Sequence, residues 1–224
     1  MESPRFYKRN LPHWQPEGVT FAVQFCLTGC LPRHVVLALQ ADRDRKLSEV
    51  NSTRIKYAEQ YPNGIPDELE EQLNSDYRAA KNQYNGKFDE ILDGESYGPN
   101  WLIDPKVAKI VADALHYAED ELKSCHIWAY CIMPNHVHLI LSNVNPVLHK
   151  VLASVKIYSA RIANQYLNRT GNQFWHRESY DRIIRNKKEF DNQITYVVNN
   201  PVKAGLVSDW QEWRFTYLND QYSI

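Results

Sequence analysis

No stretch of this 224-residue chain approaches the roughly 18 consecutive apolar residues that a membrane-spanning helix requires. The first residues, MESPRFYKRNLPHW, lack the apolar centre of a secretory signal, so the chain is expected in the cytoplasm, with no membrane partner. There is no excess of either charge. Lys and Arg number 26 against 27 Asp and Glu, giving a net charge of −1 and a pI near 6.7. That balance excludes an overall basic field as the means of holding nucleic acid, so any polyanion site must be a local patch. Cysteine is sparse, and Cys26, Cys30, Cys125 and Cys131 form no C-x-x-C pair. In a reducing compartment they read as core thiols, the alternative being a zinc site that joins Cys26 and Cys30 to histidines. Internal repeats and low-complexity tracts are also missing.

What is present suits a globular chain. Apolar residues make up 43% and aromatic residues 12%, enough to bury a core, and the whole chain, 1–224, reads as one domain with residues 33–96 as a helical insertion. Charge is unevenly spread. From Asp67 to Glu95 there are nine acidic residues and three basic ones, whereas from Lys150 to Lys188 there are nine basic residues and two acidic ones. These are either two solvated faces of opposite sign or, for the second segment, a surface facing phosphates.

GVTFAVQFCLTG (18–29) has the β-branched and aromatic content of a strand. Residues 33–96 favour helix, broken at YPNGIPDE, with Asp67 opening the next helix. DPKVAKIVADALHYAED (104–120) places Val107, Ile110, Val111 and Leu115 at helical spacing behind an Asp104 cap and Pro105. HIWAYCIM and HVHLILS read as two strands joined through Pro134-Asn135. Residues 146–171 read as a long helix closed by Gly171, YDRIIR (180–185) as a final strand, and 187–201 as a helix stopped before Pro201. The order matches an α+β, ferredoxin-like βαββαβ sandwich, an antiparallel sheet with helices on one face and an extra C-terminal helix.

One stretch breaks the core pattern: AYCIMPNHVHLILSN (129–143) sets His136 and His138 one residue apart in an apolar run. Alternation on a strand points both imidazoles to one face, about 7 Å apart at the backbone, where they could converge on one cation. Twenty residues later stands Tyr158, in SVKIYSARIANQ. It is either half-buried filler on an amphipathic helix or a nucleophile that needs a nearby cation, since a phenol has a pKa of about 10. Lys156 and Arg161 on the same helix could serve it or hold a phosphate. Ser154, Tyr158, Arg161 and Gln165 share one helical stripe, which suits an active-site wall.

With these residues go LPHWQPEGVTFAVQF (11–25), NWLIDPKVAKIVADAL (100–115), KIYSARIAN (156–164) and FWHRESYDRIIRNKKEFDNQITYVVNNPVKAGLV (174–207). Together they resemble the REP-associated tyrosine transposases, single-tyrosine HUH transposases, over residues 11–32 and roughly 88–207. The resemblance implies metal-dependent nicking and rejoining of single-stranded DNA, at hairpin-containing repeats, through a 5′-phosphotyrosine link. His136 and His138 would hold Mg²⁺ or Mn²⁺, and two imidazoles suit Mn²⁺ better than Mg²⁺, which prefers oxygen. Tyr158 would attack the phosphorus. Relatives often carry a third, polar ligand one turn after the nucleophile. Here that position is Ile162, so Asn164 or Gln165 is the expected substitute. Lys156, Arg161, Arg182 and Arg185 would contact DNA phosphates, and Trp175, Tyr180 and Tyr196 could stack on bases. The active form would be a monomer or a homodimer. Two other classes stay open: a domesticated relative that binds single-stranded DNA hairpins without cutting them, and a phosphodiesterase acting on small nucleotides. The latter would need a second histidine motif, and His149 and His176 are isolated.

Overall fold

In a computed structural model the structure of residues 5–8, 12–15, 18–94 and 98–222 is described. The chain forms two compact units, residues 1–30 with 98–224, and residues 31–97. In the second unit, α1 (Arg33–Gln60) and α2 (Asp67–Gly94) form a helical hairpin. Asp67, Glu68 and Glu70 lie in the first turn of α2, where the helix dipole favours negative charge. α1 buries none of its side chains and is laced along its length instead. Asp42 accepts from both Arg45 and Lys46, and Arg45 also reaches Glu49. Lys46 and Arg54 bond across to Gln83 and Asn74 of α2.

The first unit holds the sandwich. Besides a short hairpin of β1 (Arg5–Lys8) and β2 (Pro12–Gln15), it contains β3 (Thr20–Cys26), α3 (Pro105–Asp120), β4 (His126–Ile132), β5 (His136–Ser142), α4 (Leu148–Tyr166), β6 (Tyr180–Ile184), α5 (Lys187–Val198), α6 (Asn200–Lys203) and β7 (Thr216–Leu218). The sheet runs β6-β3-β5-β4-β7 with every neighbour antiparallel. Its first four strands have the order of a ferredoxin-like βαββαβ fold, as expected.

Alternation along the strands divides the side chains cleanly. Val137, Leu139 and Leu141 of β5 join Phe21, Val23 and Phe25 of β3 in one core, closed by Val107, Val111 and Leu115 of α3 and by Leu148, Leu152 and Val155 of α4. Ile140 faces the other way, with Ala129, Cys131 and Ile184, against Ile194, Val197 and Val198 of α5. Helices therefore cover both faces of the sheet. The expectation of helices on one face gives way because α5 carries its own apolar stripe and needs a surface to bury it.

Asp104 caps α3 as expected, its carboxylate accepting from the Lys106 N–H at 2.8 Å. α4 ends at Tyr166, five residues before Gly171. Asn168 takes the left-handed turn (φ 55°) and the Arg169 N–H closes on the Asn164 carbonyl. YDRIIR is not the final strand, because β7 pairs with β4. Only three residues long, it lies below the length at which alternation is readable.

Gly98 meets a steric demand as well as a conformational one. Its φ is +70°, and a Cβ there would collide with the Gly29 carbonyl oxygen. Gly18 has a similar φ (+72°), but among the described residues nothing lies within 4 Å of a Cβ there. Gly98→Ala is therefore expected to lower the denaturation midpoint more than Gly18→Ala, whose loss is about 1 kcal/mol from left-handed strain alone.

Candidate active site

Three residues, Met133, Pro134 and Asn135, turn the chain between β4 and β5. The Met133 N–H donates to the His136 carbonyl, and the Asn135 and Pro134 carbonyls accept from Leu27 and Leu102. The turn is thus anchored on both sides, and the histidines that follow it are fixed in register. His136 lies opposite Cys26, and His138 opposite Gln24 on β3 and Cys131 on β4. Both are buried, at 0% and 4% exposure.

The two rings stand edge to face and their Nε2 atoms are 3.0 Å apart. His136 Nδ1 is 2.6 Å from Asn135 Oδ1. A carbonyl oxygen only accepts, so Nδ1 carries the proton and the Nε2 lone pair points toward His138. Burial, then the neighbouring His138 and Lys203, push the His136 imidazole well below the usual histidine range. It is neutral at pH 7, the form that binds a metal. Two bonds of about 2.1 Å meeting at a right angle separate their nitrogens by about 3.0 Å. The pair therefore fits adjacent positions on a divalent ion.

α5 supplies the rest of this face. The Tyr196 ring stands edge-on to His138, centroids 5.5 Å apart, and the Lys203 ammonium lies 5.4 Å from the Tyr196 centroid. Tyr196, Asn200 and Lys203 follow one another at i, i+4 and i+7, one stripe of a helix that runs almost unbroken from α5 into α6. Asn200 is fully buried, and neither Oδ1 nor Nδ2 has a hydrogen-bond partner among the described residues. An amide left so is costly, roughly 1–3 kcal/mol per group. Its oxygen is the donor type that a hard cation takes.

Tyr158 is not part of this site. Its helix packs against Val137, Leu139 and Leu141, the face of β5 opposite to the histidines. Tyr158 is 46% exposed and stacks on Tyr117 of α3, with the Arg161 guanidinium 5.7 Å from its ring centroid. Gln165 is exposed on the same helix and Asn164 donates to the Asn172 carbonyl, so α4 brings no ligand to the imidazoles. Lys156 turns to a structural task, its ammonium donating to the His176 carbonyl at 2.7 Å and to Ser179 Oγ at 3.1 Å. Trp175 is core, its indole N–H donating to Ser159 Oγ. Arg182 and Tyr180 of β6 do lie on the histidine face, beside Ala22 and Gln24. Arg182 is paired with Glu189 at 3.5 Å, and Arg185 is exposed next to it. The four cysteines are buried free thiols. A hydrogen bond with Cys30, together with burial, holds the Cys26 thiol well above its usual range, which disfavours the thiolate that zinc requires.

Tyr196, Asn200 and Lys203 were legible only in part. They stand in the quoted ITYVVNNPVKAGLV stretch, and the i, i+4, i+7 spacing of a phenol, an amide and an amine was the available signal.

Protonating a histidine that is neutral in the fold and has an unfolded pKa of about 6.5 costs stability as pH falls below that value. The denaturation midpoint is accordingly expected to fall between pH 6.5 and 5. In His136→Gln the fall should shrink, with a remainder from His176, which burial also pushes down.

Comparison with known proteins bears on family and fold. Residues 100–200 match the family described as Transposase IS200 like. A Haemophilus influenzae protein described as a REP-associated tyrosine transposase is 26% identical over 106 residues, 39% of this chain and 56% of that relative. The fold is also that of a REP-associated tyrosine transposase solved bound to a REP hairpin. That likeness has a TM-score of 0.51 at 14% identity, covering 94% of this chain and 80% of the other. Among the described residues, no helix is long and apolar enough to cross a membrane. By these matches residues 100–200 are similar to the transposase IS200-like family, and the chain is similar to REP-associated tyrosine transposases.

Proposed function

We propose that this chain nicks and rejoins single-stranded DNA at hairpin-containing repeats, with Tyr196 as the nucleophile. One observation carries the reading: Tyr196 lies edge-on to His138 and shares its stripe with the unpartnered amide of Asn200. The relatives' pattern of a polar ligand one turn after the nucleophile fails at Tyr158, which is followed by Ile162. At Tyr196 it lands on Asn200. The nucleophile therefore moves from α4 to α5, and the third ligand from Gln165 to Asn200.

His136, His138 and Asn200 would hold a divalent ion, Mg²⁺ or Mn²⁺. When bound, that ion supplies Lewis-acid polarisation of a phosphate oxygen. The residues do the remainder. Asn135 keeps the His136 Nε2 lone pair pointed inward. Tyr196 Oη bonds to phosphorus as the bond from phosphorus to the 3′-oxygen breaks; the phenol proton passes to solvent and the 3′-oxygen takes one up. The product is a 5′-phosphotyrosine and a free 3′-hydroxyl. Lys203 stabilises the charge that builds on the phenol oxygen and the phosphate. The link keeps the phosphodiester energy, so attack by a 3′-hydroxyl reseals a strand at the same site. A relative solved with a REP hairpin supports a folded single strand as the substrate. Arg182 and Arg185, at the β6 margin of the same face, would meet its phosphates.

The test is incubation of the full chain and Mn²⁺ with single-stranded hairpins taken from the DNA flanking its own gene, scored for a protein–oligonucleotide adduct that survives denaturant. Wild type and Tyr158→Phe are expected to form it. Tyr196→Phe is expected to lose it while still binding the hairpin. Loss in Tyr158→Phe with retention in Tyr196→Phe would overturn the assignment, and binding without any adduct in wild type would leave a hairpin-binding protein. Asn200→Ala is expected to raise the Mn²⁺ concentration needed for half-maximal adduct formation.

A further inference from the structure

One side chain on the histidine face has no part in the chemistry above. Gln24 is 7% exposed, and its Nε2 is buried without a hydrogen-bond partner among the described residues. It sits mid-strand on β3, directly opposite His138 on one side and Tyr180 on the other. Residues so paired share a face, with Cβ atoms about 5 Å apart. The same face of β3 otherwise carries Ala22 and Cys26, small side chains beside the imidazoles. The opposite face carries Phe21, Val23 and Phe25, which fill the α3–α4 core. Packing alone would be served by an aliphatic residue at 24, without the roughly 1–3 kcal/mol that an unpaired buried donor costs. A residue that opposes stability inside a core strand is the usual mark of a ligand contact.

The missing partner is an acceptor. Carriage of a metal ligand by the Gln24 oxygen would leave the N–H group as unpartnered as before, so a cation does not account for it. We propose that Gln24 Nε2–H donates to a non-bridging oxygen of the phosphate that Tyr196 attacks, an oxygen other than the one polarised by the ion. This rests on the reading of Tyr196 and the histidine pair given above. A neutral amide is suited to the task. It stabilises the charge that develops on the phosphoryl oxygens and adds no positive charge beside His138, which must stay unprotonated to act as a ligand.

The experiment uses the oligonucleotide that forms the adduct, in three versions: unmodified, and with either non-bridging oxygen of the cleaved phosphate replaced by sulfur, a poor hydrogen-bond acceptor. In wild type, one sulfur isomer should be slow in Mg²⁺ and recover in Mn²⁺, marking the oxygen on the ion. The other should be slow in both metals. Gln24→Leu should slow the unmodified substrate by about a hundredfold, the size of losing one oxyanion donor. It should also slow the isomer that recovers in Mn²⁺, but add little on the isomer that does not recover. Two effects that share one contact do not multiply.

Two further measurements do not depend on turnover. In EDTA, Gln24→Leu should weaken binding of the same oligonucleotide by about tenfold, one hydrogen bond to a charged oxygen. Its denaturation midpoint should be unchanged or raised, whereas a residue kept for the fold would lower it. Equal slowing of all three substrates, or no slowing of any, overturns the assignment of Gln24 while leaving Tyr196 standing. Absence of an adduct from wild type on the unmodified strand brings down both.

Discussion

The side-chain alternation of β5 is the constraint on which the rest depends. Once Val137, Leu139 and Leu141 are committed to the α3–α4 core, His136 and His138 must face α5. A shift of one residue in register would exchange the two sets and drive imidazoles into the main core. Register is held from both sides, by six consecutive pairs with β3 and by the β4 ladder. It is secured again at the turn, where the Pro134 and Asn135 carbonyls bond to Leu102 and Leu27. Which helix lies beside the imidazoles follows from this alone. α4 is on the wrong side of the sheet, and α5 is on the right one.

Around the pair, electrostatics and hydrogen bonding point to one protonation state. Asn135 fixes which ring nitrogen of His136 holds the proton. Burial and the nearby Lys203 keep the ring neutral. The same surface leaves polar groups unmatched, in Asn200 and Gln24. Elsewhere in the first unit several polar groups have found partners, among them the Trp175 indole on Ser159, the Trp213 indole on the Ile132 carbonyl and the Asn219 amide on the Ile127 carbonyl, while Asn164 Oδ1, Arg169 Nε and His176 Nδ1 have none among the described residues. Asn200 and Gln24 lie on the histidine face, where a bound phosphate or ion would complete them, and the two apolar cores around the sheet supply the stability that tolerates them.

Residues that a linear reading ties to function are here engaged in holding the framework. Lys156 draws the segment before β6 onto α4 through the carbonyls it gathers, and Trp175 fixes α4 to the strand region through Ser159. Both lie in the basic stretch between Lys150 and Lys188, so its charge is not all available to a polyanion. Arg182 is likewise balanced by Glu189.

The sequence by itself determined the sandwich, because strand alternation, the Asp104 cap and the glycine and proline breaks are local signals that survive into the fold. It also determined the histidine pair, since two residues apart on any strand means one face. It could not place the tyrosines relative to that pair. Tyr158 and Tyr196 both sit on amphipathic helices near basic residues, and which helix covers which face is settled by long-range strand order and handedness, not by spacing along the chain. Tertiary structure alone decided that the Tyr196–Asn200–Lys203 stripe would face the histidines, that Asn200 would be buried with no partner among the described residues, and that Gln24 would lie across from His138. The Gln24–His138 pairing joins strands more than a hundred residues apart in the chain.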